Sequence, residues 1–257
     1  MKRHLIQTMT LVLALASAPA LAAVTAQEAA RLGADLTPLG AERKGNAEGT
    51  IPAWEGGLSS PAKAGFASWK PTDHRPDPYA GDKPLFTITA ANMAQYAGRL
   101  TEGQKKLLQQ YKSTYKMLVY PTHRSAAVPQ RIYDATKRIA TTAQLAAGGN
   151  GVTHAGEGIP FPIPREGVEV FWNHILRYRA NAGVRRIGQA PVTVSGDYAM
   201  VRFIDDTFAA YSLPGATSEN LNNIILCFIQ ETTGPARLAG EILLVQETLD
   251  QSIENRK

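Results

Sequence analysis

His74, His123, His154 and His174 are the side chains of this sequence best suited to ligate a metal or move a proton near neutral pH. None stands four residues from another, and no His-Glu-x-x-His run places two imidazoles on one helix face. His154 with Glu157, and Asp73 and His74 with Asp77, combine ligand types, but both groups lie in Gly- or Pro-rich stretches. No metal site is expected from them. Cys227 is the single cysteine, which excludes an intramolecular disulfide and a cysteine-based zinc cluster. It sits inside an apolar run, where a thiol is inert packing. Gly148, Gly149, Gly151, Gly156 and Gly158 lack the Gly-Lys-Ser/Thr ending of a phosphate loop and read as a flexible connector. The sequence holds no Gly-x-Ser-x-Gly elbow. The reading is a protein with no catalytic residue, no cofactor and no metal, and therefore not an enzyme.

What the sequence does offer is apolar surface. Residues 221–232 and 238–249 are expected as the two longest strands, joined by Thr233-Gly234-Pro235-Ala236. Successive strand residues point to opposite faces. Ile224, Leu226 and Phe228 therefore share one face and Ile225, Cys227 and Ile229 the other, while Ile242 and Leu244 oppose Leu243 and Val245. A sheet with one wet face alternates apolar with polar residues; these strands are apolar on both sides, so each face needs a cover. Helices can supply one cover, and a second protein layer or an apolar ligand the other. Leu226, Phe228, Ile242 and Leu244 are the candidate lining residues, and parity alone leaves the opposite set equally eligible. Trp54 and Trp172 are aromatic candidates for the same ligand. Arg177, Arg185 and Arg186, with Arg179 and Tyr178 among them, are candidates for contact with anionic lipid headgroups, worth about 1 kcal/mol per basic residue near such a surface.

The elements that must position these residues begin after an N-terminal leader. Residues 1–22 carry Lys2 and Arg3, an apolar stretch and the small-residue ending Ala20-Leu21-Ala22, the layout of a signal peptide cleaved after Ala22. Thr8, Thr10, Ser17 and Pro19 interrupt the stretch, which is too short to span a bilayer. The whole sequence has 257 residues and a formal charge of +5, from 27 Lys+Arg against 22 Asp+Glu. Without the leader's Lys2 and Arg3 the balance falls to 25 against 22, too small an excess to point to nucleic acid. With 44% hydrophobic and 19% charged residues, the chain can build a core and is not disordered throughout.

Residues 23–84 are expected as a short helix over 25–32 followed by a Gly- and Pro-rich arm that Trp54, Phe66, Trp69 and Tyr79 pin to the surface. Residues 85–257 form helices and then an antiparallel sheet. Thr89 is placed to cap 90–97, and Thr101 with Gln104 forms a capping box. Ile132, Ala135, Ile139 and Ala143 recur at helical spacing after Pro129, and residues 166–178 carry a second stripe through Val168, Phe171, Trp172 and Ile175. Strands are expected at 185–194, 198–204 and 207–213, the first two flanking a turn at Ser195-Gly196-Asp197. The last apolar strand has no partner after it, an edge hazard which suggests that the sheet is incomplete as given.

The run Asp35-Leu36-Thr37-Pro38, the stretch from Gly40-Ala41-Glu42-Arg43-Lys44-Gly45-Asn46 to Ile51-Pro52-Ala53-Trp54, Gly158-Ile159-Pro160-Phe161-Pro162 and Trp172-Asn173-His174 form one set. Pro235-Ala236-Arg237-Leu238-Ala239-Gly240-Glu241 and Glu247-Thr248-Leu249-Asp250-Gln251 complete it. Together they resemble a proteobacterial family of unknown function labelled outer-membrane-lipoprotein-sorting-like. The resemblance implies an α+β fold, a half-open antiparallel β-barrel of the LolA/LolB type whose helices cover an apolar cavity. This chain resembles the N-terminal part of such a protein. The resemblance also implies work beside an exporter of the resistance-nodulation-division class and an outer-membrane protein, and it brings no chemistry.

The expected function is that of a periplasmic, non-enzymatic carrier of lipid or other hydrophobic cargo. The alternative is an interaction subunit of an export or outer-membrane assembly complex that holds no cargo; a lipid-directed hydrolase comes third.

Overall fold

The computed structural model describes residues 24–218 and 226–246. The expected leader, the 221–225 part of the first long strand and the Glu247 to Gln251 motif lie outside the described residues. Thr25 caps α1 (Ala26–Ala30) in a reciprocal capping box with Glu28. The Thr25 amide and hydroxyl hydrogen bonds, aided by Arg165, hold the Glu28 carboxyl below its ordinary range. Val24, Ala29, Leu32 and Leu36 then bury against Ala140, fixing the start of the arm to the helical body.

After the arm, β1 (Phe86–Ile88) is followed by a 3-10 stretch, Met93–Arg99. Asn92 rather than Thr89 precedes that stretch, and the Thr89 amide donates to Asn92 Oδ1 at 2.7 Å. The capping box expected from Thr101 and Gln104 opens α2 (Glu102–Gln110), and β2 (Met117–Val119) pairs antiparallel with β1. Ile88, Leu100 and Leu108 form a small core between them.

The central body is α3 (Gln130–Ile139), the short pair β3 (Gln144–Leu145) and β4 (Val152–Thr153), and α4 (Gly167–Ile175). Helix α3 buries Ile132, Ala135, Thr136 and Ile139, the stripe its spacing predicts. Helix α4 ends at Ile175, shorter than the expected 166–178. The glycine-rich segment is not a flexible connector. It threads through the interior, with Ala155, Glu157 and Phe161 buried. Gly158 has φ +99°, and a Cβ there would sit 2.5 Å from Thr136 Oγ1 and 3.0 Å from Thr136 N, so glycine is what lets this strand of chain lie against α3.

The rest is one antiparallel sheet of four strands, β5 (Ala182–Gln189), β6 (Val201–Ala209), β7 (Leu226–Gly234) and β8 (Gly240–Gln246), in sequence order. The two strands expected at 198–204 and 207–213 are a single strand, β6, that runs through Asp205 and Asp206. Their charge reads as a break in sequence, but Asp205 is satisfied by side chains of both neighbouring strands. The Ser195-Gly196-Asp197 turn is present, with the Thr193 amide donating to Asp197 O at 2.8 Å. The protein is thus mixed α and β with antiparallel sheets, and none of them closes into a barrel among the described residues.

Candidate functional site

Register shows which residues of the neighbouring strands share a face. Phe228 pairs with Leu244 and Thr207, Gln230 with Ile242 and Asp205, and Leu226 with Ala209. Directly opposed residues share a face, so Leu226, Phe228, Ile242 and Leu244 lie together, with Arg185, Asp205 and Gln230 in the same layer. Ala209 belongs to the main core cluster with Phe161, Trp172, Leu176 and Tyr211, and Leu226 packs against it. The helices therefore cover one end of this face. Farther out it opens: Ile242 is 60% and Leu244 53% exposed. The reverse face carries Val184, Phe208, Cys227, Ile229, Leu243 and Val245, and Leu243 is 64% exposed. Both faces offer apolar side chains to the outside.

The other expected residues are dispersed. Trp172 is buried in the main core, and its indole N–H donates to Gly149 O at 2.9 Å. Arg185 and Arg186, as adjacent strand residues, project to opposite faces of the sheet, so they do not form one basic patch. The Arg185 guanidinium donates to Asp205 Oδ2 at 2.9 Å. Arg177 turns back onto His174 O. Glu157, the proposed companion of His154, is buried and ion-paired to Arg131 instead. The Arg131 guanidinium also donates to Asn181 Oδ1 at 3.0 Å and Ser212 O at 2.9 Å. Asp73 and Asp77 accept from the amides of Lys70 and Tyr79. Among the described residues no group of three or more His, Cys, Asp or Glu side chains is placed to hold a metal.

Trp54 is placed differently from Trp172. It lies where the arm crosses the 121–128 loop, donating to Ala126 O at 3.0 Å and meeting Tyr133 edge to face at 6.2 Å. Beside it Arg124 donates to Glu42 O at 2.6 Å, Arg43 O at 3.2 Å, Lys44 O at 3.3 Å and Pro52 O at 3.4 Å, clamping a hairpin-like turn of the arm. His123 Nε2 is 2.6 Å from Asp82 Oδ2, and Tyr79 stacks flat on the imidazole, with centroids 3.7 Å apart and planes 7° apart. Two hollows meet along His123, Arg124 and Ser125, of about 390 and 360 Å³. Reading the sequence misses this cluster, because Asp82 and His123 are 41 residues apart. The aromatics of the arm are its only local signal.

Residues 87–257, two thirds of the chain and including the entire four-stranded sheet, match the family described as Protein of unknown function (DUF1329). The chain belongs to this family. It is also 47% identical over 256 residues to the uncharacterized protein PA3922 of Pseudomonas aeruginosa, covering 98% of this chain and 54% of that protein. The chain therefore spans about half the length of the curated relative it matches. No solved structure matches it.

Within the DUF1329 segment, His123 is held on one side by a carboxylate and on one face by a phenol ring. Such a pair can retain or pass a proton. Ser125 lines both hollows, but among the described residues no hydroxyl is hydrogen-bonded to His123, so a nucleophile–base pair is not assembled. Among those residues, too, no helix is long and apolar enough to cross a membrane.

Proposed function

We propose that this DUF1329 protein is a periplasmic, non-enzymatic carrier that holds a lipid or other hydrophobic molecule on its sheet. In this reading it works beside an envelope exporter of the resistance-nodulation-division class and its outer-membrane partner. The observation that carries it is a four-stranded sheet whose helices shelter one end of one face, leaving Ile242 and Leu244 exposed farther out on that face and Leu243 and Val184 exposed on the reverse one. Large contiguous apolar surfaces on soluble proteins mark ligand or partner sites. Covering a few hundred Å² of such surface with an acyl chain gives several kcal/mol at about 25 cal/mol per Å². The finer form of the proposal is a half-open barrel of the LolA/LolB type, with the face of Leu226, Phe228, Ile242 and Leu244 as its lining.

The test is mass spectrometry of organic extracts from gently purified full chain. Stoichiometric lipid in the wild type, and its loss in the Ile242→Glu, Leu244→Glu double variant, is the expected result. Both substitutions are at exposed positions, so folding should survive them. A second reading, an interaction subunit without cargo, is favoured by β8, which among the described residues pairs on one side only. A clean extract together with stable co-purification of a membrane partner would replace the carrier reading with this one.

A further inference from the structure

The arm and the 121–128 loop border two open hollows of a different kind from the sheet. The first hollow is walled by Leu39, Ala41, Trp54, Ala126 and Tyr133, beside Pro38 and Thr37. The Trp54 indole N–H is spent on Ala126 O, and the Tyr133 hydroxyl accepts from the Val128 amide at 3.0 Å. The volume, about 390 Å³, falls in the range of small-molecule sites. The walls are fixed before any ligand arrives, because Arg124 ties four carbonyls of the arm to the loop.

The second hollow has the opposite character. Lys63 and Arg124 line it with His123, Tyr79 and Ser125; Glu55 is the one carboxylate on its wall, and Asp82 reaches it through His123. Arg124 bonds only to neutral carbonyls, and neither it nor Lys63 has a carboxylate partner among the described residues. A cation compensated by carbonyl dipoles alone still attracts an anion. Trp54 lines the apolar hollow while its neighbours Ala53 and Glu55 line the polar one, so the arm at residues 53–55 borders both.

We propose that these joined hollows bind a small single-chain anionic amphiphile, its apolar body against Trp54 and Tyr133 and its carboxylate or phosphate head beside Lys63 and Arg124. The His123–Asp82 pair closes the far side and orients the head through the ring nitrogen not used by Asp82. This site is separate from the sheet, and the inference does not rest on the carrier reading.

Isothermal titration of the full chain with octanoate and octyl phosphate tests it, with octanol, acetate and inorganic phosphate as comparisons. One octanoate or octyl phosphate should bind per chain, octanol at least about tenfold more weakly, the worth of one charge-assisted contact. Acetate and inorganic phosphate should neither bind nor compete. Lys63→Ala should weaken the anionic probes about tenfold and leave octanol unchanged. Ala41→Phe, a change at an exposed alanine that narrows the hollow, should abolish binding of all three chains. Lys137→Ala, on α3 and lining neither hollow, should change nothing. Octanol binding as tightly as octanoate, displacement by inorganic phosphate, binding that survives Ala41→Phe, or equal weakening by Lys137→Ala would each overturn the proposal.

Discussion

Arg185 and Asp205 oppose each other across the β5–β6 ladder, and the Asp205 carboxylate accepts from the Arg185 guanidinium at 2.9 Å and from Gln230 at 3.0 Å. The Asp205 side chain is 2% exposed and that of Arg185 65%, so the pair is a buried acceptor with a solvated donor. Arg185→Ala leaves the carboxylate with Gln230 alone and should cost about 1–3 kcal/mol, the penalty for a buried acceptor losing a partner. Replacing Arg185, Asp205 and Gln230 together with apolar residues should cost less than Arg185→Ala, because no buried charge is left behind. Urea denaturation of both variants measures the difference.

The same three residues show where sequence stops informing. Two adjacent aspartates in an apolar run read as the end of a strand, and only the β5–β6–β7 register reveals that Arg185 and Gln230 accommodate the first of them. What was legible is local: the Thr25 and Thr101 capping boxes, the Ile132, Ala135 and Ile139 stripe, and the apolar character of both faces of β7 and β8. Which residues share a face was half legible, since alternation gives parity within a strand but not the pairing between strands. Of the arm–loop site only the arm's aromatics, Trp54 and Tyr79 among them, were legible. Its contacts join residues 41 to 82 positions apart through irregular chain, where no period exists to read.

Arg131 and Glu157 join α3 to the buried glycine-rich segment, and Arg131 carries Asn181 and Ser212 O as further acceptors. Removing one member of a buried ion pair is worth about 3–5 kcal/mol. Arg131→Ala should fall in that range, because Glu157, almost wholly buried, then keeps the Gly215 amide at 3.3 Å as its side-chain donor among the described residues. Glu157→Gln should cost less, since the amide oxygen still accepts from the guanidinium. Thermal melts of the two variants, compared at one pH, should rank them in that order.

Gly40 has φ +93°, and a Cβ there would collide with the carbonyl oxygen of Pro162. The backbone obstacle cannot swing aside as a flexible side chain would. Gly40→Ala should therefore lift the arm from the segment before α4, at a cost of about 1–3 kcal/mol from the left-handed backbone alone. The readout is local: limited proteolysis should cut within residues 41–54 sooner than in the wild type, while amides of β6 keep their exchange protection. Equal cleavage of both proteins would show that the arm is held without this contact.

Tyr211 is buried in the main core, and its hydroxyl donates to Arg177 O at 3.3 Å. Burial pushes the phenol above its ordinary value, and the nearby Arg179 and Arg177 charges offset only part of that. A group raised in the folded state contributes stability that is complete below its unfolded value, about 10 for tyrosine, and lost as pH rises through the folded value. The protein should accordingly lose stability on the alkaline side of about pH 10. Tyr211→Phe removes the titrating group and costs about 1 kcal/mol at neutral pH for the lost hydrogen bond. Its melting temperature should therefore start lower and decline less steeply than that of the wild type between about pH 9 and 11. Parallel slopes for the two proteins in thermal melts over that interval would show that Tyr211 stays neutral throughout and that other groups drive alkaline unfolding.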